Sequence, residues 1–102
     1  MSIVRIVRME FDVDSTSRFD ALFAESKSKI EAQKGCLCVR MLHSTSNRNQ
    51  RTTISWWENE DFLNAYRQSD LFGQVWPQTK ALFSEKPIAW SMDWPDGDVL
   101  PT

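Results

Sequence analysis

The stretch Ser55-Trp56-Trp57-Glu58-Asn59-Glu60-Asp61-Phe62-Leu63-Asn64-Ala65-Tyr66-Arg67-Gln68-Ser69-Asp70-Leu71-Phe72 decides the fold. It reads as the end of a strand, a polar helix cap, an amphipathic helical run and a second cap. Trp56 and Trp57 end the strand with side chains suited to a half-buried pleated surface. Asn59 is a residue type that accepts a hydrogen bond from the first helical turn, and Glu60 and Asp61 favour the positive end of the helix dipole. Phe62, Ala65 and Tyr66 form the inner face of that helix. Ser69-Asp70 reads as the cap of a further segment, in which Leu71, Phe72, Val75, Trp76, Leu82 and Phe83 recur at roughly helical spacing. Gly73 and Pro77 interrupt it, and a proline inside a helix removes a backbone donor, so a break or kink is expected near Trp76.

Toward the N-terminus, Ile3 to Phe11 reads as a strand with Ile3, Val7, Met9 and Phe11 on one face and Val4 and Ile6 on the other. Both faces are partly apolar, which demands cover on both sides. Asp14 to Ser17 supplies helix caps, and Ser17 with Asp20 resembles a capping box. In the helix that follows, Phe19, Leu22, Phe23 and Ile30 share a stripe with Ser26, while Lys27, Lys29, Glu31 and Lys34 face water. Gly35 is placed to end that helix as a left-handed residue. Cys36 to His43 reads as a second strand, Ser44 to Gln50 as a polar hairpin loop, and Arg51 to Trp57 as a third strand.

Pro87 opens the last segment, with a short fourth strand at Ile88 to Met92. Residues 93–102 contain Pro95, Gly97 and Pro101 and read as an irregular tail after a single domain spanning 1–92. The order strand, helix, strand, strand, helix in pieces, strand is a ferredoxin-like βαββαβ arrangement of α+β class, with a four-stranded antiparallel sheet. Helices in that arrangement cover one sheet face only. The second apolar face is then expected to be covered by a second copy packed sheet against sheet, giving a homodimer.

The composition narrows the function classes. A chain of 102 residues fits one domain with limited burial, which an oligomer would extend. Five tryptophans and six phenylalanines need a core, an interface or a pocket to cover them. A net charge of −2 gives no electrostatic footprint for nucleic acid or an acidic membrane surface. No apolar run approaches a membrane span, no signal segment opens the chain, and a reducing cytoplasm is the expected location. Cys36 and Cys38, expected on the same side of their strand, are read as two reduced thiols. With one histidine in the chain, no metal site is expected. Three glycines leave no phosphate-cradling loop, and no Ser-His-Asp order is present.

Trp57-Glu58 at the strand end, Tyr66 on the helix, Ser69-Asp70-Leu71-Phe72 at the next turn and the Gly35-Cys36 step together resemble the antibiotic biosynthesis monooxygenase superfamily. The likeness runs from about Ile3 to Met92. It implies a dimeric α/β barrel. The haem-degrading branch of that superfamily uses an Asn on the first strand, a helical Trp and a haem-ligating His. Those positions correspond here to Val7 or Arg8, to Tyr66 and to Trp76, so the resemblance speaks against haem degradation. Another branch oxidises phenols or quinols with neither metal nor flavin, the substrate anion itself reducing oxygen. The resemblance to it implies a cofactor-free monooxygenase acting on a small aromatic or quinol. In many of those members a His stands where this chain has Tyr66.

His43 is the one side chain titrating near neutrality unperturbed and is the expected base, or else a half-exposed strand-end residue. Tyr66 is suited to hydrogen-bond a substrate oxygen, or to sit in the core with its hydroxyl satisfied. Trp57 either stacks on a planar substrate or seals the core at the strand end. Trp57, Tyr66, Phe72 and Trp76 are expected to line a pocket between the sheet and the helical segment. Arg5, Arg8 and Arg40 sit inside apolar strands, where an arginine holds an anion, pairs across an interface or reaches to the sheet edge. A non-catalytic dimeric module that binds a small ligand, or a structural domain of the same fold, is the competing reading.

Overall fold

The computed structural model describes residues 2–95. Its elements in chain order are β1 (Ser2–Glu10), α1 (Thr16–Glu31), β2 (Cys36–His43), β3 (Gln50–Trp57), α2 (Glu60–Arg67), α3 (Asp70–Lys80) and β4 (Ile88–Trp94). The strands form one antiparallel sheet in the order β2-β3-β1-β4. This is the α+β, ferredoxin-like arrangement that the sequence predicts, with the second helical region divided into α2 and α3.

Alternation along the strands sorts the side chains. Ile3, Met9 and Phe11 of the first strand region pack with Phe19 and Ile30 of α1, Leu63 of α2 and Trp57 of β3 on the helix-covered side. Val4, Cys38 and Trp56 form a separate cluster on the opposite side, with Ile6, Ile54 and Trp94 against it. A β-bulge between Cys36 and Cys38 corrects the expectation that both thiols share a side. The extra residue reverses the alternation, so Cys36 packs on the helix-side core and Cys38 on the open-side cluster. Both are free thiols.

The caps at Asn59 and Ser69 form as expected: their side chains accept from the backbone N–H of Phe62 and Phe72, respectively. The capping box at Ser17 and Asp20 does not form, because α1 already begins at Thr16. Asp20 instead faces β3 and receives both Nε and Nη2 of Arg51, at 2.9 and 3.1 Å. That pair neutralises a guanidinium buried under the helix.

Gly35 adopts φ +82, but it lies in the turn beyond the helix, whose own C-cap is Ala32. A Cβ at Gly35 would overlap the Phe62 ring, so this turn needs glycine for both conformation and space. Of the break or kink expected near Trp76, a break does not occur: α3 runs from Asp70 to Lys80 with Pro77 inside it. Pro77 and Gly73 are both exposed, so water can satisfy the Gly73 carbonyl that the missing donor leaves free.

Three smaller expectations change. The deeply buried residue of α2 is Leu63, with Ala65 exposed. Leu82 and Phe83 follow the end of α3, and Phe83 forms an isolated bridge with Phe11. The last strand extends through Trp94, so residues 93 and 94 of the expected tail are paired with β1, and residues 96–102 of it lie outside the described residues.

Candidate active site

A cavity of about 280 Å³ lies between the helix-facing side of the sheet and α1, α2 and α3. That is near the lower end, about 300 Å³, of small-molecule pockets, which suits a ligand of one or two rings. Its walls are mostly apolar: Val7, Met9, Phe23, Phe72, Val75 and Trp76 among them. The sequence places them there in two ways. Every second residue of β1 points to the helices, and Phe72, Val75 and Trp76 recur along one face of α3.

Of the expected pocket residues, Tyr66, Phe72 and Trp76 line this cavity. They form a continuous ring series: Tyr66 meets Phe72 edge-on at 5.3 Å, and Phe72 stacks on Trp76 at 5.7 Å. Trp57 is not in the lining. Its ring is fully buried, stacks behind Tyr66 at 5.1 Å and donates Nε1–H to Ser55 Oγ at 2.9 Å. Trp57 therefore fixes the plane of the Tyr66 ring from the core side.

His43 ends β2 as an exposed residue. It borders a separate shallow recess with Val13, Thr16, Ser44, Arg48, Asn49 and Arg51, not the cavity. Arg8 and Arg40 are exposed, and Arg40 meets Glu31 at 3.5 Å.

The polar groups that do reach the cavity are Arg5, Ser26, Thr53, Ser55, Tyr66, Arg67 and Thr79. Arg67 and Ser55 were not anticipated as site residues. Arg5 was visible as a cation with the same alternation as Ile3 and Val7. Arg67 had a fainter signal, its position one residue after Tyr66 on a short helix. Burial pushes the Tyr66 phenol up to about 12, with the nearby Cys36 adding in the same direction, so the group is a neutral donor at physiological pH. Burial likewise pushes the Cys36 thiol up to about 11. No Asp, Glu or His lines the cavity among the described residues. Among those residues no cluster of three or more metal-ligating side chains occurs, and no helix is long and apolar enough to cross a membrane.

A search of curated protein sequences finds no match. Several solved structures share the fold. A conserved protein from Methanosarcina mazei Go1 superposes with a TM-score of 0.86 at 15% identity, covering 90% of this chain and 91% of its own. Rv0793 from Mycobacterium tuberculosis gives 0.83 at 16% identity, covering 91% and 94%. SnoaB, a cofactor-independent oxygenase from Streptomyces nogalater, gives 0.83 at 16% identity, covering 99% and 98%. At these identities the likeness is one of fold. The sequence profile of the antibiotic biosynthesis monooxygenases, in contrast, matches residues 2–76, most of the chain. With its βαββααβ order, its helix-covered aromatic cavity and that match, the chain belongs to the antibiotic biosynthesis monooxygenase family.

Proposed function

We propose that the protein is a cofactor-independent monooxygenase acting on a small aromatic or quinol substrate held in the cavity beneath Tyr66. The observation that carries this reading is the cavity itself: mostly apolar and aromatic walls that include one phenol, Tyr66, raised by burial. The presence of a cofactor-independent oxygenase among proteins of the same fold supports it. In the proposed reaction the ionised substrate supplies the electrons. Its ring carbon bonds to dioxygen as a hydroperoxide. Loss of water then leaves a carbonyl, so one oxygen atom enters the product and the other departs as water. Tyr66, as a neutral donor, hydrogen-bonds the substrate oxygen on which negative charge sits. The apolar walls exclude water from the peroxide stage.

In this proposal the chain works as a homodimer joined through the open side of the sheet, where Leu42, Ile88, Trp90 and Met92 stand exposed. A reducing cytoplasm suits the free thiols Cys36 and Cys38. A second reading is a non-catalytic ligand-binding or structural module of the same fold. It is favoured by one observation, the lack of a carboxylate or imidazole in the described cavity lining.

Oxygen-electrode assays on phenols and quinols selected by tryptophan-fluorescence quenching separate the two readings. Substrate-dependent oxygen uptake is expected, reduced roughly 100-fold in Tyr66→Phe with the melting temperature nearly unchanged, since a preorganised donor to a developing oxyanion contributes on that scale. Tight binding without oxygen uptake from any hit favours the binding module.

A further inference from the structure

Two recesses of this molecule meet at one side chain. The cavity under the helices, about 280 Å³, and an open groove of about 610 Å³ beside the end of α3 share two wall residues, Trp76 and Pro87. The rest of the groove wall comes from Lys80, the last residue of α3, and from the segment Phe83 to Lys86 that leads to β4. Lys80, Glu85 and Lys86 are exposed, so the groove is wet, whereas the cavity walls are mostly apolar. Trp76 carries the larger of the two shared side chains, and its packing is that of a partition. Its indole stacks on Phe72, a cavity residue, at 5.7 Å and 15°. On its other side it meets Phe83, a groove residue, edge-on at 5.7 Å and 69°. Phe83 in turn tilts against the fully buried ring of Phe11 at 5.4 Å, so the core backs the indole from the groove side. The indole is therefore clamped between two rings, one from each recess.

We infer that Trp76 sets the length of the ring system that the cavity accepts: its indole fills the place where a further ring of a longer ligand would lie, and so closes the cavity against the groove. This rests on the reading that the cavity is the ligand site, and it deepens that reading by naming the ligand's size, one or two fused rings. The place itself suits an aromatic ring. Phe72 would stack on a ring there and Phe83 would meet it edge-on, the two geometries that aromatic pairs favour. A ligand long enough to reach that place must displace the indole. The indole cannot yield without giving up both ring contacts, and a packed side chain pushed from its rotamer costs what overpacking costs. A shorter residue at position 76 leaves the place empty and joins the two recesses. Val75 supplies the contrast. It lines the cavity but not the groove, so trimming it enlarges the cavity without joining them.

The test uses the full chain and two uncharged probes that differ by one linear ring, naphthalenemethanol and anthracenemethanol. Binding is measured by equilibrium dialysis, so loss of a tryptophan leaves the readout unaffected. The wild-type chain is expected to bind naphthalenemethanol about tenfold more tightly, the scale of forcing extra atoms into a packed site. Trp76→Ala should reverse the order, with the three-ring probe bound about tenfold more tightly through the apolar area it buries in the vacated place. Val75→Ala should keep the wild-type order. Should Trp76→Ala fail to fold, Trp76→Leu serves in its place, and the advantage of the two-ring probe should shrink to about equality. Equal or tighter binding of anthracenemethanol by the wild-type chain overturns the inference. So does a wild-type order that persists in the Trp76 variants, or a reversal in Val75→Ala as large as that in Trp76→Ala. No binding of either probe to any of these chains also overturns it, by removing the cavity as a ligand site. The expected orders with no oxygen uptake from any phenol or quinol keep the size limit and remove the oxygenase reading. Oxygen uptake together with equal binding of both probes by the wild-type chain does the reverse.

Discussion

The two faces of the sheet are made by the same four strands and have opposite characters. The helix-covered face mixes apolar side chains with Arg5, Arg51, Thr53 and Ser55, and encloses a cavity. The open face presents Leu42, Ile88, Trp90 and Met92 to the surroundings over a buried patch of Val4, Cys38 and Trp56. A face that binds a small polar-headed molecule keeps hydrogen-bonding groups inside it. A face that binds another protein copy is apolar at its centre. In the proposed function the covered side carries the ligand and the open side the assembly, and each can be tested alone.

The largest effect is expected on the open face. Leu42→Asp should abolish dimer formation in light scattering, because an unpaired charge in a dry interface costs roughly 3–5 kcal/mol. Leu42 is exposed in the single chain, so circular dichroism should show a folded monomer. A dimer that survives this change would place the interface elsewhere. Val39, by contrast, is buried in the helix-side core, where a charge would unfold the chain and say nothing about assembly.

The covered face is next tested through its tightest approach. Gly35→Ala adds a Cβ against Phe62 at a residue with φ +82, and should lower stability in urea by about 3 kcal/mol from strain and overpacking together. A change within error would mean that α2 shifts freely over β2, and that the Trp57–Tyr66 stack does not hold the cavity wall.

Alkaline pH sharpens the same comparison, since both raised groups, Tyr66 and Cys36, lie on the covered side. Tyr66 binds its proton more tightly folded than unfolded. Its stabilisation is therefore complete below its ordinary value of 10.0 and is lost as pH rises toward about 12. Cys36 acts in the same direction between 9.0 and about 11. Chemical denaturation across that range should show a falling stability, and Tyr66→Phe should make the fall shallower by up to about 2 kcal/mol. An unchanged slope would mean that the phenol is solvated.

The smallest effect belongs to His43, at the strand end away from the cavity. His43→Ala should alter stability by less than about 0.5 kcal/mol and leave ligand titrations unchanged. A large loss of oxygen uptake in this variant would restore His43 as the base and bring the shallow recess beside it into the reaction.

Local features of the fold were legible residue by residue. Asn59 and Ser69 announce their helices because a cap is a contact over three residues, readable without the rest of the chain. Tyr66, Phe72 and Trp76 were legible as a group because helical spacing brings them together. Pro77 does not end its helix: the Gly73 carbonyl it leaves without a donor stands exposed to water, and exposure is a property of packing. Asp20 misled because α1 begins before Ser17, which leaves its carboxylate free to pair with Arg51, 31 positions away in the chain.

The sequence by itself determined the element order, the caps at Asn59 and Ser69, the two-sided apolar character of the first strand and the likeness to a family, all carried by short-range spacing and side-chain alternation. Only the tertiary structure decided which side each group serves. A single bulge sends Cys36 and Cys38 to opposite faces. Close packing behind Tyr66 turns Trp57 from a pocket wall into its support. Register across three strands sets Arg5 between Ser55 and Ser91, and the path of α2 brings Arg67 to the same cavity. These outcomes depend on contacts between residues far apart in the chain. Such contacts are selected by the packing of the whole domain, and no local pattern encodes them.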